Sequence, residues 1–209
     1  ISLLKNLAGI DVQAAYPKSA PPNKELADKW TWEAFADAAA KCAKGGYAFG
    51  MPMGQTSDAV DWVGTVFHAY GAEMVNAKGE ITIKSDATKE VMAWFKKVAP
   101  NLPPDCWAWD DAGNNKWLVS VKGAMIMNPP SAWAVAKRDA PQVAADCWVI
   151  DAPVGPKGRF APFLPFFWCV WNFSPNKSAA KSLITYLSSL SSAEKLVAAS
   201  QGYDLPSYD

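Results

Sequence analysis

The stretch GAMIMNPPSAW, Gly123 to Trp133, carries the succession of signals that decides the fold. Gly123 to Met127 is a short apolar run, as a buried strand is, and the Pro129-Pro130 pair then interrupts regular structure. Ser131 to about Arg138 has the spacing of a short helix, and a second apolar run follows from Cys147 to Val154. Strand, turn, helix and strand in this order predict an α/β architecture.

The same alternation extends toward the N-terminus. Thr31 is placed to cap a helix that runs to about Lys44, where two glycines end it, and Tyr47 to Met53 is predicted to be a short buried strand. A second helix should follow GQTSD, residues 54–58, and stop at Gly71.

A turn and a third helix come next. Asn76 to Gly79 is predicted to turn the chain into a strand at Ile81 to Ile83. Ser85 or Asp86 can then cap a helix that ends before Pro100. Residues 1 to 30 are instead predicted to be irregular, because three prolines oppose regular structure there.

The C-terminal part continues the pattern. Phe166 to Phe173 is predicted to be a strand, and Lys177 to Leu190 an amphipathic helix. Ser191 and Glu194 have the spacing of a capping box for a last helix that ends near Gly202.

Composition narrows the classes of partner. Twenty basic and twenty acidic residues cancel, and no basic stretch is interleaved with aromatic residues, so a nucleic-acid or anionic-membrane partner has little electrostatic support. No run of about 18 apolar residues is present to span a bilayer. The four cysteines are widely spaced and the chain has one histidine, so zinc binding is not expected. The sequence leaves open whether the four cysteines form disulfides or are buried as free thiols.

Eleven tryptophans in 209 residues are unusual, and several stand beside Pro, Gly, Asn and Asp rather than in apolar runs. The clearest example is CWAWDDAGNN, residues 106–115. Indole faces beside carboxylates and amides can stack on a sugar ring while they bind its hydroxyl groups. The alternative is that these large side chains fill a core.

Several segments, in this order, resemble one protein family. They are Thr31 to Phe35, Tyr70 to Val75 followed by Lys78-Gly79, Gly123 to Trp133, Phe173 to Ala180, and Gly202 to Pro206. Together they are similar to the extracellular solute-binding proteins of ABC importers, in particular the sugar-binding group. The resemblance covers nearly the whole chain.

This resemblance implies a type II periplasmic-binding-protein-like fold, in which two α/β lobes enclose the ligand. The chain resembles a fragment of such a receptor: mainly one lobe, the hinge crossing and part of the other lobe. Residues 1–24 would be a connector from the first lobe, 25–160 the second-lobe domain, and 161–209 the hinge strand and returning helices. Exposed edges of such a fragment would favour self-association.

In this family the ligand lies between the lobes, against loops at strand ends and helix N-termini. We therefore expect ligand contacts from three loops and from the start of the hinge strand. Asp110 and Asn115 belong to the tryptophan-rich loop and are candidates as well, and Ser131 stands where some sugar-binding members have a further tryptophan. The expected ligand-binding residues are Gln55, Asp58, Trp62, Trp107, Trp109, Asp111, Asn114, Asn128, Trp133, Phe167 and Trp168.

The functional expectation is a non-catalytic receptor that captures a sugar or polyol for a membrane permease, without cofactor or metal. A periplasmic location follows from the resemblance; the opening residues lack the order of a signal peptide, as a mature or trimmed product would. A carbohydrate-active enzyme domain, with Asp58 and Asp61 or Asp110 and Asp111 as carboxylates, and an isolated carbohydrate-binding module remain as alternatives. His68 is expected to be structural.

Overall fold

The computed structural model describes residues 1–162 and 167–200. Most of its regular structure is helical, with one short antiparallel hairpin. The elements are a π-helix (Leu4–Ala8), α1 (Val12–Ala15), α2 (Lys24–Asp28), α3 (Trp32–Lys44), α4 (Ser57–Tyr70), α5 (Asp86–Val98), 3-10 turns (Ala99–Asn101 and Cys106–Ala108), α6 (Gly113–Val119), α7 (Ser131–Asp139), α8 (Pro141–Ala145), β1 (Val154–Gly155), β2 (Gly158–Arg159), α9 (Lys177–Leu187) and α10 (Leu190–Ala199).

The three long N-terminal helices form where the sequence predicts them. Thr31, Thr56 and Ser85 each accept a hydrogen bond from a first-turn backbone N–H, and so each caps its helix, α3, α4 and α5. Gly71 ends α4 in the left-handed conformation, with φ of 73°, which glycine adopts without steric cost.

An aromatic cluster fills the core between these helices. The rings of Trp32 and Trp94 meet edge to face at 5.3 Å, and those of Trp62 and Phe95 at 5.2 Å. The Trp94 indole N–H donates to the Trp32 carbonyl at 2.9 Å, so a bulky polar ring is buried without a lost hydrogen bond there. Part of the tryptophan content therefore serves packing.

Two of the predicted strands are extended and adjacent but do not form a ladder. Tyr47–Met53 and Gly123–Met127 touch through one parallel bridge, between Gly50 and Ile126. The Ala48 carbonyl accepts from the Trp117 indole N–H at 3.1 Å, which is a side-chain contact and not a ladder hydrogen bond.

The other predicted strands are similarly reduced. Ile81 pairs with Val75 through one antiparallel bridge, and Val154 pairs with Thr31 through one parallel bridge. From Cys147 to Val154 only the last residue belongs to a strand, and that strand is half of the β1–β2 hairpin.

Residues 1–30 contradict the prediction of irregular chain, because they contain the π-helix, α1 and α2. Asp11 and Asn23 cap α1 and α2, and Leu4 and Val12 are buried in the main core. The prolines lie between the helices and not inside them, which is why they do not prevent helix formation.

The C-terminal predictions are met in part. Residues 167–173 are not a strand, and Phe166 lies outside the described residues. Helix α9 ends at Leu187, and α10 begins at Leu190 with Ser189 as its N-cap, so the predicted capping box at Ser191 is wrong. The reason is local: Ser189 has the extended backbone conformation of an N-cap, with φ of −67° and ψ of 148°, and Ser191 therefore lies inside the first turn. Gly202 lies outside the described residues.

Candidate functional site

The N-terminus of α4 is joined to the loop that precedes α6 by one carboxylate. Asp111 Oδ1 accepts from the Ser57 hydroxyl at 3.0 Å and from the Asp58 backbone N–H at 3.3 Å. A negative charge is stabilised at this end of a helix by unpaired N–H groups and by the helix dipole. Two segments more than fifty residues apart thus meet at one polar surface.

Asn114 extends this link to a third segment. Its Nδ2 donates to Asp58 Oδ2 at 2.7 Å and to the Met127 carbonyl at 3.2 Å, and its Oδ1 accepts from the Asn115 N–H at 3.0 Å. The GQTSD loop, the tryptophan-rich segment and the end of the Gly123–Met127 run therefore converge.

Close backbone packing explains why glycine stands at position 54. A Cβ atom there would lie 2.9 Å from the Trp107 carbonyl oxygen and 3.0 Å from that of Trp109. The Met53 N–H also donates to the Cys106 carbonyl at 3.0 Å. The tryptophan-rich segment is thereby fixed against the GQTSD loop.

Burial and neighbouring charge change the acidity of this surface. Burial raises the pKa of Asp58, the hydrogen bond from Asn114 opposes the rise, and the charges of Asp111 and Asp61 add to it. Burial, followed by the charge of Asp111, raises the pKa of Asp61.

Two of the expected ligand-binding side chains are accessible beside this surface. Gln55 is exposed, and Trp107 is 55% exposed. Asp58 is half-buried, and Asp111 is exposed at the helix end. A hydrogen bond joins the Asp111 carboxylate to the Asp58 backbone, and the contact of Gly54 with the Trp107 carbonyl brings the backbones of Gln55 and Trp107 to the same loop cluster. We call these four residues the α4 surface.

Two other expected contacts have a different role. Trp62 is 1% exposed, and its indole N–H donates to the Pro52 carbonyl at 2.7 Å, so it is a core residue and not a cleft wall. Asn114 is also 1% exposed, and its amide is occupied by protein partners, so it positions the α4 surface without facing solvent. Neither side chain is accessible to a solute.

Asn128 and Trp133 flank the N-terminus of α7. Asn128 Nδ2 donates to the Pro129 carbonyl at 2.8 Å, whereas its Oδ1 is buried without a partner among the described residues. Trp133 is 41% exposed, with the Lys137 ammonium group 4.5 Å from its ring centre. Helices α6 and α7 pack together, which places this segment next to Asn114.

Phe167 and Trp168 are exposed in an irregular stretch. The prediction that they begin a hinge strand is wrong, because residues 167–173 form no strand. The side chains are accessible, but no regular element orients them.

Trp109 contacts Trp117, which is not among the expected ligand-binding residues. Its ring lies 5.4 Å from that of Trp117, and it packs so closely on Gly113 that a Cβ atom there would lie 2.5 Å from the Trp109 Cβ. Two glycines in the predicted strands, Gly50 and Gly123, indicate that another group packs there, because glycine inside a strand often marks a close approach. In the structure that group is the Trp117 ring.

The cysteines and acids offer no metal site in the described part of the chain. All four cysteines are free thiols. Within residues 1–162 and 167–200, no three His, Cys, Asp or Glu side chains are grouped so as to hold a metal ion. In the same residues, no helix is both long and apolar enough to cross a membrane.

Comparison with solved structures shows the fold. Maltose-bound T. maritima MalE3 matches 88% of this chain with a TM-score of 0.64 and 18% identity. A putative oligosaccharide periplasmic-binding protein from Synechococcus sp. MITs9220, in complex with zinc, matches 90% with a TM-score of 0.64 and 14% identity. This chain spans 47% and 45% of those two chains. The predicted periplasmic-binding-protein-like fold is confirmed, as is the prediction that the chain corresponds to part of one.

No curated protein sequence matches the chain. The family model described as bacterial extracellular solute-binding protein matches residues 6–208. This match covers nearly the whole sequence and agrees with the resemblance carried by its motifs. The chain therefore belongs to the bacterial extracellular solute-binding protein family.

Proposed function

We propose that this chain is the solute-contacting part of an ABC-importer receptor, which captures a sugar or polyol in the periplasm and delivers it to a membrane permease. The observation that carries the proposal is the convergence of Gln55, Asp58, Trp107 and Asp111 at the N-terminus of α4. An exposed indole supplies an apolar face, and amide and carboxylate groups beside it bind hydroxyl groups.

The chemistry favours a neutral polyhydroxylated solute. The carboxylates of Asp58 and Asp111 accept hydrogen bonds from hydroxyl groups, and Gln55 can both donate and accept. Both solved structures compared above carry sugar-related descriptions, which supports the same class of solute.

The proposed role is binding without catalysis. In the structure the Asp58 and Asp111 carboxylates bind Asn114 and the α4 N-terminus, contacts that serve to hold loops in place. The family is likewise one of solute-binding proteins. The division into a connector (residues 1–24), a second-lobe domain (25–160) and a returning segment (161–209) is part of this proposal, with two changes: Leu4 and Val12 of the connector pack in the main core, and residues 167–173 form no hinge strand.

A fluorescence titration tests this function. The chain is titrated with mono- and oligosaccharides, polyols and amino acids while intrinsic tryptophan emission is recorded. We expect a saturable change with saccharides or polyols, weakened in Gln55→Ala and Trp107→Ala. Gln142→Ala is the matched control, because Gln142 is exposed on α8.

Two outcomes of this titration would contradict the proposal. Saturable binding of an amino acid but of no saccharide would overturn the proposed solute class. Equal loss of binding in Gln142→Ala and Gln55→Ala would show that the response does not come from the α4 surface.

A further inference from the structure

A shallow depression of about 410 Å³ lies between the tryptophan-rich segment and α6. Its volume falls within the roughly 300–1,000 Å³ typical of small-molecule sites. None of the four residues of the α4 surface lines it. Its lining includes Asp105, Trp109, Asp110, Lys116, Trp117 and Lys122.

Two indole rings in this depression are held in fixed positions. A Cβ atom on Gly50 would lie 2.2 Å from the Trp117 ring, and one on Gly123 would lie 2.1 Å from its Nε1, so the ring rests directly on glycine backbone. The Trp117 N–H donates to the Ala48 carbonyl. Trp109 packs on Gly113 in the same way.

This arrangement makes a preorganised aromatic pair, because neither ring can move without losing these contacts. Both indoles are half-buried, and their ring centres are 5.4 Å apart. A rigid aromatic surface loses little side-chain entropy when a ligand stacks on it.

The polar rim of the depression is balanced in charge. Its lining contains two acidic residues, Asp105 and Asp110, and two basic residues, Lys116 and Lys122. Asp110 and Lys116 form an exposed ion pair at 3.4 Å. A charged ligand would meet attraction and repulsion together, whereas a neutral ligand with hydroxyl groups can accept from the ammonium groups and donate to the carboxylates.

We propose that this depression is a second carbohydrate-contact site, in which a neutral sugar ring stacks on the Trp109–Trp117 pair and its hydroxyl groups bind Asp110 and Lys116. The site uses none of the residues of the α4 surface. It goes beyond the proposed function, because it provides contact to a saccharide unit away from the helix N-terminus.

Fluorine NMR of the 209-residue chain labelled with 5-fluorotryptophan tests the site, with maltotriose as the probe. Each resonance is assigned by a single Trp→Phe variant. We expect saturable shifts of the Trp109 and Trp117 signals. The double variant Asp110→Asn, Lys116→Met should weaken the response of these two signals roughly fivefold, the effect of one net polar contact.

The control removes a similar ion pair elsewhere. Asp86 and Lys89 form an exposed pair at 2.8 Å on α5, so Asp86→Asn, Lys89→Met should leave the titration unchanged. Gln55→Ala should also leave the Trp109 and Trp117 shifts unchanged, which separates this site from the α4 surface.

Two results would overturn the proposal. One is a set of shifts confined to Trp107 and Trp133, which would support the proposed function but place no sugar in the depression. The other is that the Trp109 and Trp117 resonances do not shift at all, either at a maltotriose concentration that saturates the α4 surface or at the highest concentration that the sugar's solubility allows.

Discussion

Asn114 donates to Asp58 at 2.7 Å from a side chain that is almost completely buried. The same amide group reaches the Met127 carbonyl at 3.2 Å. One side chain thus connects the first turn of α4, the start of α6 and the end of the Gly123–Met127 run, and the geometry of the α4 surface depends on it.

Replacement of Asn114 by alanine should destabilise the chain by about 1–3 kcal/mol, because a half-buried carboxylate and a backbone carbonyl lose their donor. Chemical denaturation measures the free energy of unfolding. Asn172→Ala is the control, since Asn172 is exposed and accepts one hydrogen bond from Lys177. Equal effects of the two variants would contradict the positioning role of Asn114.

Thr56→Ala removes the cap of α4 and should cost about 1 kcal/mol. Its hydroxyl oxygen accepts from the Ala59 N–H at 3.1 Å, and Thr56 is buried. Thr56→Ser keeps the hydroxyl group and should restore most of the thermal stability. If serine were no better than alanine, the lost methyl packing and not the cap would be the cause.

Gly123→Ala should destabilise the chain by about 1–3 kcal/mol, because the new methyl group would overlap the Trp117 ring. Gly64→Ala is the matched control: it lies within α4, and its Cβ would meet no atom within 4 Å. Alanine there should raise stability by roughly 0.5–1 kcal/mol through helix propensity. A neutral Gly123→Ala would show that Trp117 is not held as described.

Asp61→Asn should become more stabilising as pH rises. The raised pKa of Asp61 means that the folded chain holds its proton more tightly than the unfolded chain does, so this carboxyl lowers stability progressively above its ordinary pKa of 3.8. Asparagine has no carboxyl group to ionise, so the Asp61→Asn variant does not lose this stability as pH rises. Thermal unfolding between about pH 4 and about pH 7 measures the trend.

The control for this pH dependence is Asp139→Asn, for which the sign is reversed. The hydrogen bond from Arg138 lowers the pKa of Asp139, so this carboxylate adds stability above the ordinary Asp pKa and loses it as pH falls. Identical pH trends for the Asp61 and Asp139 variants would contradict the assigned causes.

The exposed aromatic residues after position 166 should promote self-association of this chain. Phe167, Trp168, Trp171 and Phe173 all have more than half of their surface exposed, and the rings of Trp171 and Phe173 stack at 5.4 Å. Sedimentation velocity should show a concentration-dependent increase in mass that Trp171→Ser, Phe173→Ser reduces. An unchanged sedimentation coefficient over all concentrations would contradict this expectation.

The sequence by itself determined the long helices and the family. Caps at Thr31, Thr56 and Ser85 and the stop at Gly71 are local signals, because each depends on backbone groups within a few residues. The structure confirms the predicted cap at Thr31, the predicted stop at Gly71 and Ser85 as one of the two predicted caps of α5, whereas Thr56 belongs to the GQTSD stretch that is predicted only to precede α4. The order of the family-like segments is also a property of the sequence alone, and the family match extends over the same chain.

Only the tertiary structure decided how the candidate residues are used. Trp62, Trp107 and Trp109 are the same residue type, yet one is in the core, one is exposed and one packs on Trp117. The runs predicted to be strands pair through single bridges and form no ladder, and the buried Asn114 side chain hydrogen-bonds to Asp58. Burial, pairing and long-range hydrogen bonds depend on segments distant in sequence, and local propensity does not encode which segments will meet.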